Sequence, residues 1–271
     1  MLTLDLALIT YGIDGIRRVA SMNLPEFEGV RYVVSWQAAD EKNFPQSLNR
    51  DDITVVKTDT HGAAINRNNA MSHCTADIVL FADDDIIYTA DGLRQVIDVF
   101  NTHPDIDLVT FEATHPCKPK YPKSICRLED PLPRGYWVSA YQIAFRRKAI
   151  GDLLCHPEFG AGAAKFTGAD DELFLLSAIR RRLKCFFFPI NICTHPDLST
   201  GTTTNLSRGN LRAIGCYITI AYPRSFLLRL PLKAWRIYKK RQAGLFHALR
   251  YIIAGAVEAP RIMKSDRRYL W

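Results

Sequence analysis

Three consecutive carboxylates, Asp83-Asp84-Asp85, directly follow the apolar run Ala76 to Ala82, ADIVLFA. Like charges this close repel unless a cation neutralises them. A hard divalent ion such as Mg²⁺ or Mn²⁺ prefers oxygen ligands and often bridges to phosphates. The plain alternative is a solvated turn, with Asp85 or Asp91 capping the next helix. The apolar strand upstream favours the metal reading, because open α/β sheets bind ligands at the carboxyl ends of their strands.

A second acidic cluster, Asp170-Asp171-Glu172, follows Gly168-Ala169 and opens a helical pattern with Leu173, Phe174, Leu176 and Ile179. Acids at a helix N-terminus are favoured by the macrodipole alone. A carboxylate placed there can also take a proton from an attacking hydroxyl. Two such clusters fit a division of labour, one holding metal and one acting as base. His195 follows the last apolar run and offers an imidazole to the same metal or to a phosphate oxygen. Ser199, Thr200 and Gly201 lie just beyond as loop donors, and Arg67 carries a donor fork suited to phosphate.

These groups need elements to hold them. Leu4–Thr10, Val30–Trp36, Ile53–Val56 and Ala76–Ala82 read as strands, followed by Ile106–Phe111, Trp137–Phe145 and Cys185–Ile192. Helical stretches fall between them at Asp14–Met22, Gly62–His73, Asp91–Asn101 and Asp170–Leu183. Alternation of this kind predicts an α/β fold, a mainly parallel sheet with helices on both faces. Beyond Asn205 the pattern is helical, and Pro223 and Pro231 are expected to break it.

The chain of 271 residues is 48% hydrophobic and 23% charged, which excludes long disorder, collagen and coiled coil as its theme. Seven cysteines, at 74, 117, 126, 155, 185, 193 and 216, show no CxxC spacing, so free thiols are expected. Residues 205–271 carry 14 Lys/Arg against 2 Asp/Glu, a net of +12, leaving −5 for residues 1–204. The expected organisation is therefore a catalytic domain over 1–204 and a basic helical extension over 205–271. The N-terminus has no secretory pattern, and Leu245–Val257 is too short and too charged to span a bilayer of about 30 Å. A cytoplasmic protein is expected. Residues 223–271 mix apolar and basic residues as an interfacial helix does, which offers them to the inner face of a membrane. A helix packed on the catalytic body is the other expectation. No nucleic-acid motif is present.

Taken together, the ordered pieces resemble family 2 glycosyltransferases of the GT-A (Rossmann-like) fold. The resemblance covers residues 4–200. It rests on Asn66-Arg67-Asn68, on the apolar strand ending in a DxD pattern at Asp83-Asp84-Asp85, and on Val138–Phe145 followed by Arg146-Arg147. Phe159-Gly160 leading to the Gly-Glu-Asp-like Gly168–Asp171, and a strand ending in His195, complete it.

The resemblance implies inverting transfer of a sugar from a nucleotide-sugar, UDP-linked by expectation, to a saccharide or lipid-linked saccharide hydroxyl. Bacterial surface polysaccharide or glycan synthesis is the implied setting. The implied cofactor is Mn²⁺ or Mg²⁺, held by Asp85 with Asp83 or Asp84. Asp83 contacts the ribose or the metal, and His195 assists the metal or the diphosphate. Asp171 is the implied base with Asp170 in the Glu position; a shift of one residue swaps these two. Thr10, Tyr11 and Gly12 are implied to line the nucleotide pocket. Two departures stand out. Ser35-Trp36-Gln37-Ala38 replaces the usual Asp-Asp-Gly-Ser, leaving Asp40 as the nearby loop carboxylate, and Ala169 replaces a Gly. The acceptor loop is expected within Cys117–Gly135. A nucleotidyltransferase and a non-catalytic sugar-nucleotide binder are the competing readings, although Tyr11–Gly15 is not the Gly-rich basic loop of the former.

Overall fold

The computed structural model describes residues 1–115, 121–133, 135–195 and 206–270. The described residues fall into two compact units. One comprises Met1–His61, Ile65–Asp152 and 178–195; the other comprises Gly62–Ala64, Leu153–Ser177 and 206–270.

The first unit contains the whole sheet. In chain order its strands are β1 (Leu4–Tyr11), β2 (Val30–Gln37), β3 (Ile53–Thr58), β4 (Ile78–Asp83), β5 (Ile87–Tyr88), β6 (Leu108–Thr114), β7 (Cys126–Arg127), β8 (Ile143–Arg146) and β9 (Cys185–Thr194). They lie in the order β3-β2-β1-β4-β8-β6-β9-β5, with β7 also paired to β9. Strands β3, β2, β1 and β4 are mutually parallel, and β6 is parallel to β9. β8 runs antiparallel between β4 and β6. The sheet is therefore mainly parallel, as the alternation predicted.

Helices α1 (Gly12–Ser21) and α3 (Ala90–Thr102) cover one face of the sheet. Their Ile16, Val19, Leu93, Val96 and Phe100 join Leu4, Leu6, Leu8 and Leu80 in one buried core. Phe81 points to the other face, where Arg67 of α2 (Ala63–His73) lies over its ring. Burial on both faces explains why β1 and β4 are almost wholly apolar. The short α4 (Arg147–Ile150) follows β8.

Several boundaries differ from the expectation. The run Trp137–Phe145 is not one strand: a 3₁₀ turn at Ala140–Gln142, boxed by Ser139 and Gln142, precedes β8. α5 (Asp170–Arg180) stops before Leu183, because Arg182 adopts the left-handed conformation (φ 66°) that terminates helices. β5 and β7, of two residues each, carry no periodic signal.

The second unit gathers α6 (Arg208–Ala221), α7 (Phe226–Lys239) and α8 (Leu245–Ile262). Pro223 lies in the turn between α6 and α7, as expected, but Pro231 does not break α7 and Pro260 sits inside α8. Packing overrides the local preference here: Leu230, Ala234 and Ile237 bury against Leu211, Ile218, Ala248 and Ile252. Phe159 and Phe166, stacked with ring centroids 4.6 Å apart, pack with Leu173, Leu176, Cys216 and Ile262 in a separate core of the same unit.

Candidate active site

β1 and β4 end side by side. Their register sets Ile9 opposite Asp83, so Thr10 and Tyr11, the last two residues of β1, run beyond its pairing with β4, next to the acidic trio. The trio thus stands at the carboxyl ends of adjacent parallel strands, where α/β sheets bind ligands.

The three aspartates have three environments. Asp84 is gripped by Arg18 of α1: Oδ1 accepts from Nε and Nη2 at 3.1 Å, and Oδ2 accepts from Nη2 at 2.9 Å. Thr10 Oγ1 donates to the same Oδ2 at 2.6 Å. Burial raises the Asp84 carboxyl above its ordinary range, while Arg18 and Thr10 pull it down. The close fit needs Gly15 on α1. A Cβ there would sit 2.2 Å from Thr10 Oγ1 and 2.9 Å from Asp84 Oδ2.

Asp83 accepts from Arg67 Nη2 at 3.0 Å. Its carboxyl is also raised, first by burial, with Arg67 opposing and Asp85 adding like-charge repulsion. Arg67, expected to meet phosphate, is buried and spends one prong on Asp83. Its neighbour Asn66 donates Nδ2 to the Thr10 carbonyl at 3.0 Å. The Asn66 Oδ1 is buried with no hydrogen-bond partner among the described residues.

Asp85 is the most open of the three, with 37% of its side chain exposed, and its Oδ2 lies 3.8 Å from His195 Nε2. His195 is itself buried at the end of β9, its ring 5.3 Å from Tyr141 and 5.0 Å from His115. His115 also meets Trp137 edge-on at 6.2 Å. The sequence reading missed His115, which follows β6 by one residue just as His195 follows β9; that parallel was the available signal.

Among the described residues no three His, Cys, Asp or Glu side chains are arranged to hold a metal ion unaided. Asp83 and Asp85 repel each other, and Asp84 is already taken by Arg18 and Thr10. Two carboxylates beside an imidazole fit an ion of the Mg²⁺ kind, which keeps waters and completes its shell on substrate phosphates.

Tyr11 is exposed at the end of β1, its ring 5.6 Å from that of His61, and Gly12 opens α1 with φ 64°. Ser35, Trp36 and Gln37, of the segment that replaces Asp-Asp-Gly-Ser, are turned inward, while Ala38 is exposed. Trp36 Nε1 donates to the Gly12 carbonyl at 2.8 Å, and Gln37 Nε2 donates to Thr60 Oγ1 at 3.0 Å. Asp40 is exposed and caps a 3₁₀ turn, accepting from Lys42 N and Asn43 Nδ2.

Asp170, Asp171 and Glu172 form the first turn of α5, in the second unit. Asp170 is buried against Gly160, where a Cβ would lie 2.7 Å from its Oδ2. Asp171 is half-buried. Part of Glu172 reaches the surface, yet burial pushes its carboxyl up to about 7, with Asp170 adding repulsion and Lys233 of α7 opposing. Ala169 takes the left-handed conformation (φ 66°), which explains a glycine preference at this position. Ser199, Thr200, Gly201 and residues 117–120 and 134 of the expected acceptor loop lie outside the described residues.

A mainly parallel sheet with helices on both faces is the GT-A, Rossmann-like architecture. Solved structures share this fold. S. aureus TarS in complex with UDP-GlcNAc superposes with a TM-score of 0.56 at 15% identity, over 96% of this chain and 90% of that one. The mannosyltransferase PcManGT from Pyrobaculum calidifontis, in complex with GDP-Man and Mn²⁺, gives 0.62 at 15% identity, over 96% and 87%. No curated protein matches the chain in sequence. Residues 36–170 match the model of Glycosyl transferase family 2. The chain belongs to that family and is a nucleotide-sugar glycosyltransferase.

Proposed function

We propose that the chain is an inverting, metal-dependent hexosyltransferase. It takes a sugar from a UDP-linked donor to a hydroxyl of a saccharide or lipid-linked saccharide, in the synthesis of a bacterial surface glycan. The observation that carries this reading is the strand-end trio in a family 2 chain, with Asp85 open, Asp84 clamped and His195 within 4 Å of Asp85.

Asp83, Asp85 and His195 are the residues that would hold a Mn²⁺ or Mg²⁺ ion. When bound, that ion offsets negative charge on the departing diphosphate. Arg67 and Arg18 keep the trio's own charge in place. Thr10, Tyr11 and Gly12 bound the nucleotide pocket beyond β1. Asp171 accepts the acceptor hydroxyl's proton as its oxygen bonds to the anomeric carbon and the carbon–diphosphate oxygen bond breaks. Asp170, fixed against Gly160, orients the first turn of α5. The basic extension lies at the inner face of a membrane.

The test is a thermal-shift screen of nucleotide-sugars with Mn²⁺, followed by NMR of the product's anomeric configuration. Stabilisation by UDP-sugars and inversion are expected. Retention of configuration, or a preference for another base, would overturn the corresponding part of the proposal.

A further inference from the structure

We infer that the exposed apolar face shared by α7 and α8 docks onto an anionic lipid bilayer, with the groove between the two helices taking up lipid chains. The inference rests on, and sharpens, the membrane-side placement proposed above.

α7 divides into three arcs. Leu230, Ala234 and Ile237, spaced i, i+4, i+7, pack inward. Arg229, Lys233 and Arg236 repeat the same spacing on a second arc, which the C-cap Lys240 continues. Leu227, Leu228, Leu232, Trp235 and Tyr238 form a third arc, and all five are exposed. On α8, Phe246, Ile253 and Val257 make an exposed stripe at i, i+7, i+11, with Arg250 beside it. The two apolar surfaces meet along a groove of about 560 Å³, which Leu227 and Pro231 line from one side and Leu249, Ile253 and Val257 from the other.

Among the described residues, nine of the thirteen exposed large hydrophobics lie between Leu227 and Met263. Soluble surfaces rarely gather apolar residues so densely unless something covers them. Trp and Tyr beside a basic arc are the side chains that settle at headgroup depth. α7 contains no acid, and Glu258 of α8 is already engaged by Lys165, Arg212 and Arg261. Lys233 faces Glu172 of α5, and the remaining basic charge of α7 favours an anionic surface and opposes self-association, because a second copy would bring two strongly basic faces together. Among the described residues no helix is long and apolar enough to cross a membrane, so this face lies on the bilayer.

The full chain is floated with vesicles of phosphatidylcholine alone, and of phosphatidylcholine and phosphatidylglycerol in equal parts. It should float with the mixed vesicles, not with the neutral ones, and high salt should weaken binding. Leu228→Glu, Phe246→Glu and Val257→Glu, at sites 78%, 84% and 74% exposed, should each weaken binding about tenfold or more while UDP binding is unchanged. Ile125→Glu, exposed in the first unit, should float like the parent. Flotation of all three α7–α8 variants at parental affinity would overturn this face as the contact yet leave membrane placement standing. A parent that ignores mixed vesicles overturns both. A dimer in light scattering that Leu228→Glu dissociates would assign the face to a second copy instead. UDP binding, read separately, keeps the transferase reading independent of all these results.

Discussion

Arg18 and Asp84 stand 66 residues apart in sequence and meet through three hydrogen bonds of 2.9–3.1 Å. The pair occupies the middle acid of the trio, while Asp83 accepts from Arg67 and Asp85 remains the most open of the three. The Asp84 carboxylate ties α1 to the end of β4.

Gly15 is what lets this tie form. Gly15→Ala would push a methyl into Thr10 Oγ1 and Asp84 Oδ2. Overpacking of this kind costs about 1–3 kcal/mol. Urea unfolding should show a loss of that size, together with weaker UDP affinity; an unchanged midpoint would mean that the Thr10–Asp84 contact yields freely.

Asp171→Asn should lower the transfer rate by about 10²–10⁴-fold, the usual contribution of a general base. Donor affinity should persist, since the substitution leaves the trio untouched. Asp170→Asn is the companion variant. If it alone abolishes turnover while Asp171→Asn stays near normal, the base is Asp170.

The raised carboxyl of Glu172 predicts a pH-dependent stability. Its ordinary value is 4.5 and its folded value about 7. The folded state therefore binds the proton more tightly than the unfolded one. This group's contribution is fully present below 4.5 and disappears as pH rises through about 7. Glu172→Gln should flatten the decline, so that the variant gains on the parent between about pH 5 and about pH 8 in urea midpoint. Parallel curves for the two proteins would contradict it.

Ala169 holds a left-handed conformation that costs an L-residue about 1–2 kcal/mol. Ala169→Gly removes that strain and loosens the unfolded chain by somewhat less. A gain of up to about 1 kcal/mol in unfolding free energy is expected. A clear loss would show that the methyl's packing beside Leu173 and Leu176 matters more than the backbone.

What was legible in the sequence had a local cause. β1 and β4 show as apolar runs because strands covered on both faces need them, and the acidic trio shows because it ends one of those runs. The partners of the trio were not legible. Arg18 lies on α1 and looks like any solvated arginine until the fold brings it to Asp84. His115 reaches His195 only because β6 and β9 are neighbours in the sheet. Pro231 reads as a breaker, but the burial of Leu230, Ala234 and Ile237 around it keeps α7 whole. Residues 153–177, within the expected catalytic stretch, cluster with the C-terminal helices through Phe159 and Phe166, a long-range association no local pattern announces.

The most direct test of the account is calorimetric titration of UDP, with Mn²⁺ and with a chelator, into the full chain and its Asp85→Ala variant. The account predicts binding that chelation and the substitution each weaken by at least about tenfold, or 1.4 kcal/mol. Nucleotide affinity that is absent throughout, or indifferent to both the ion and Asp85, would contradict it.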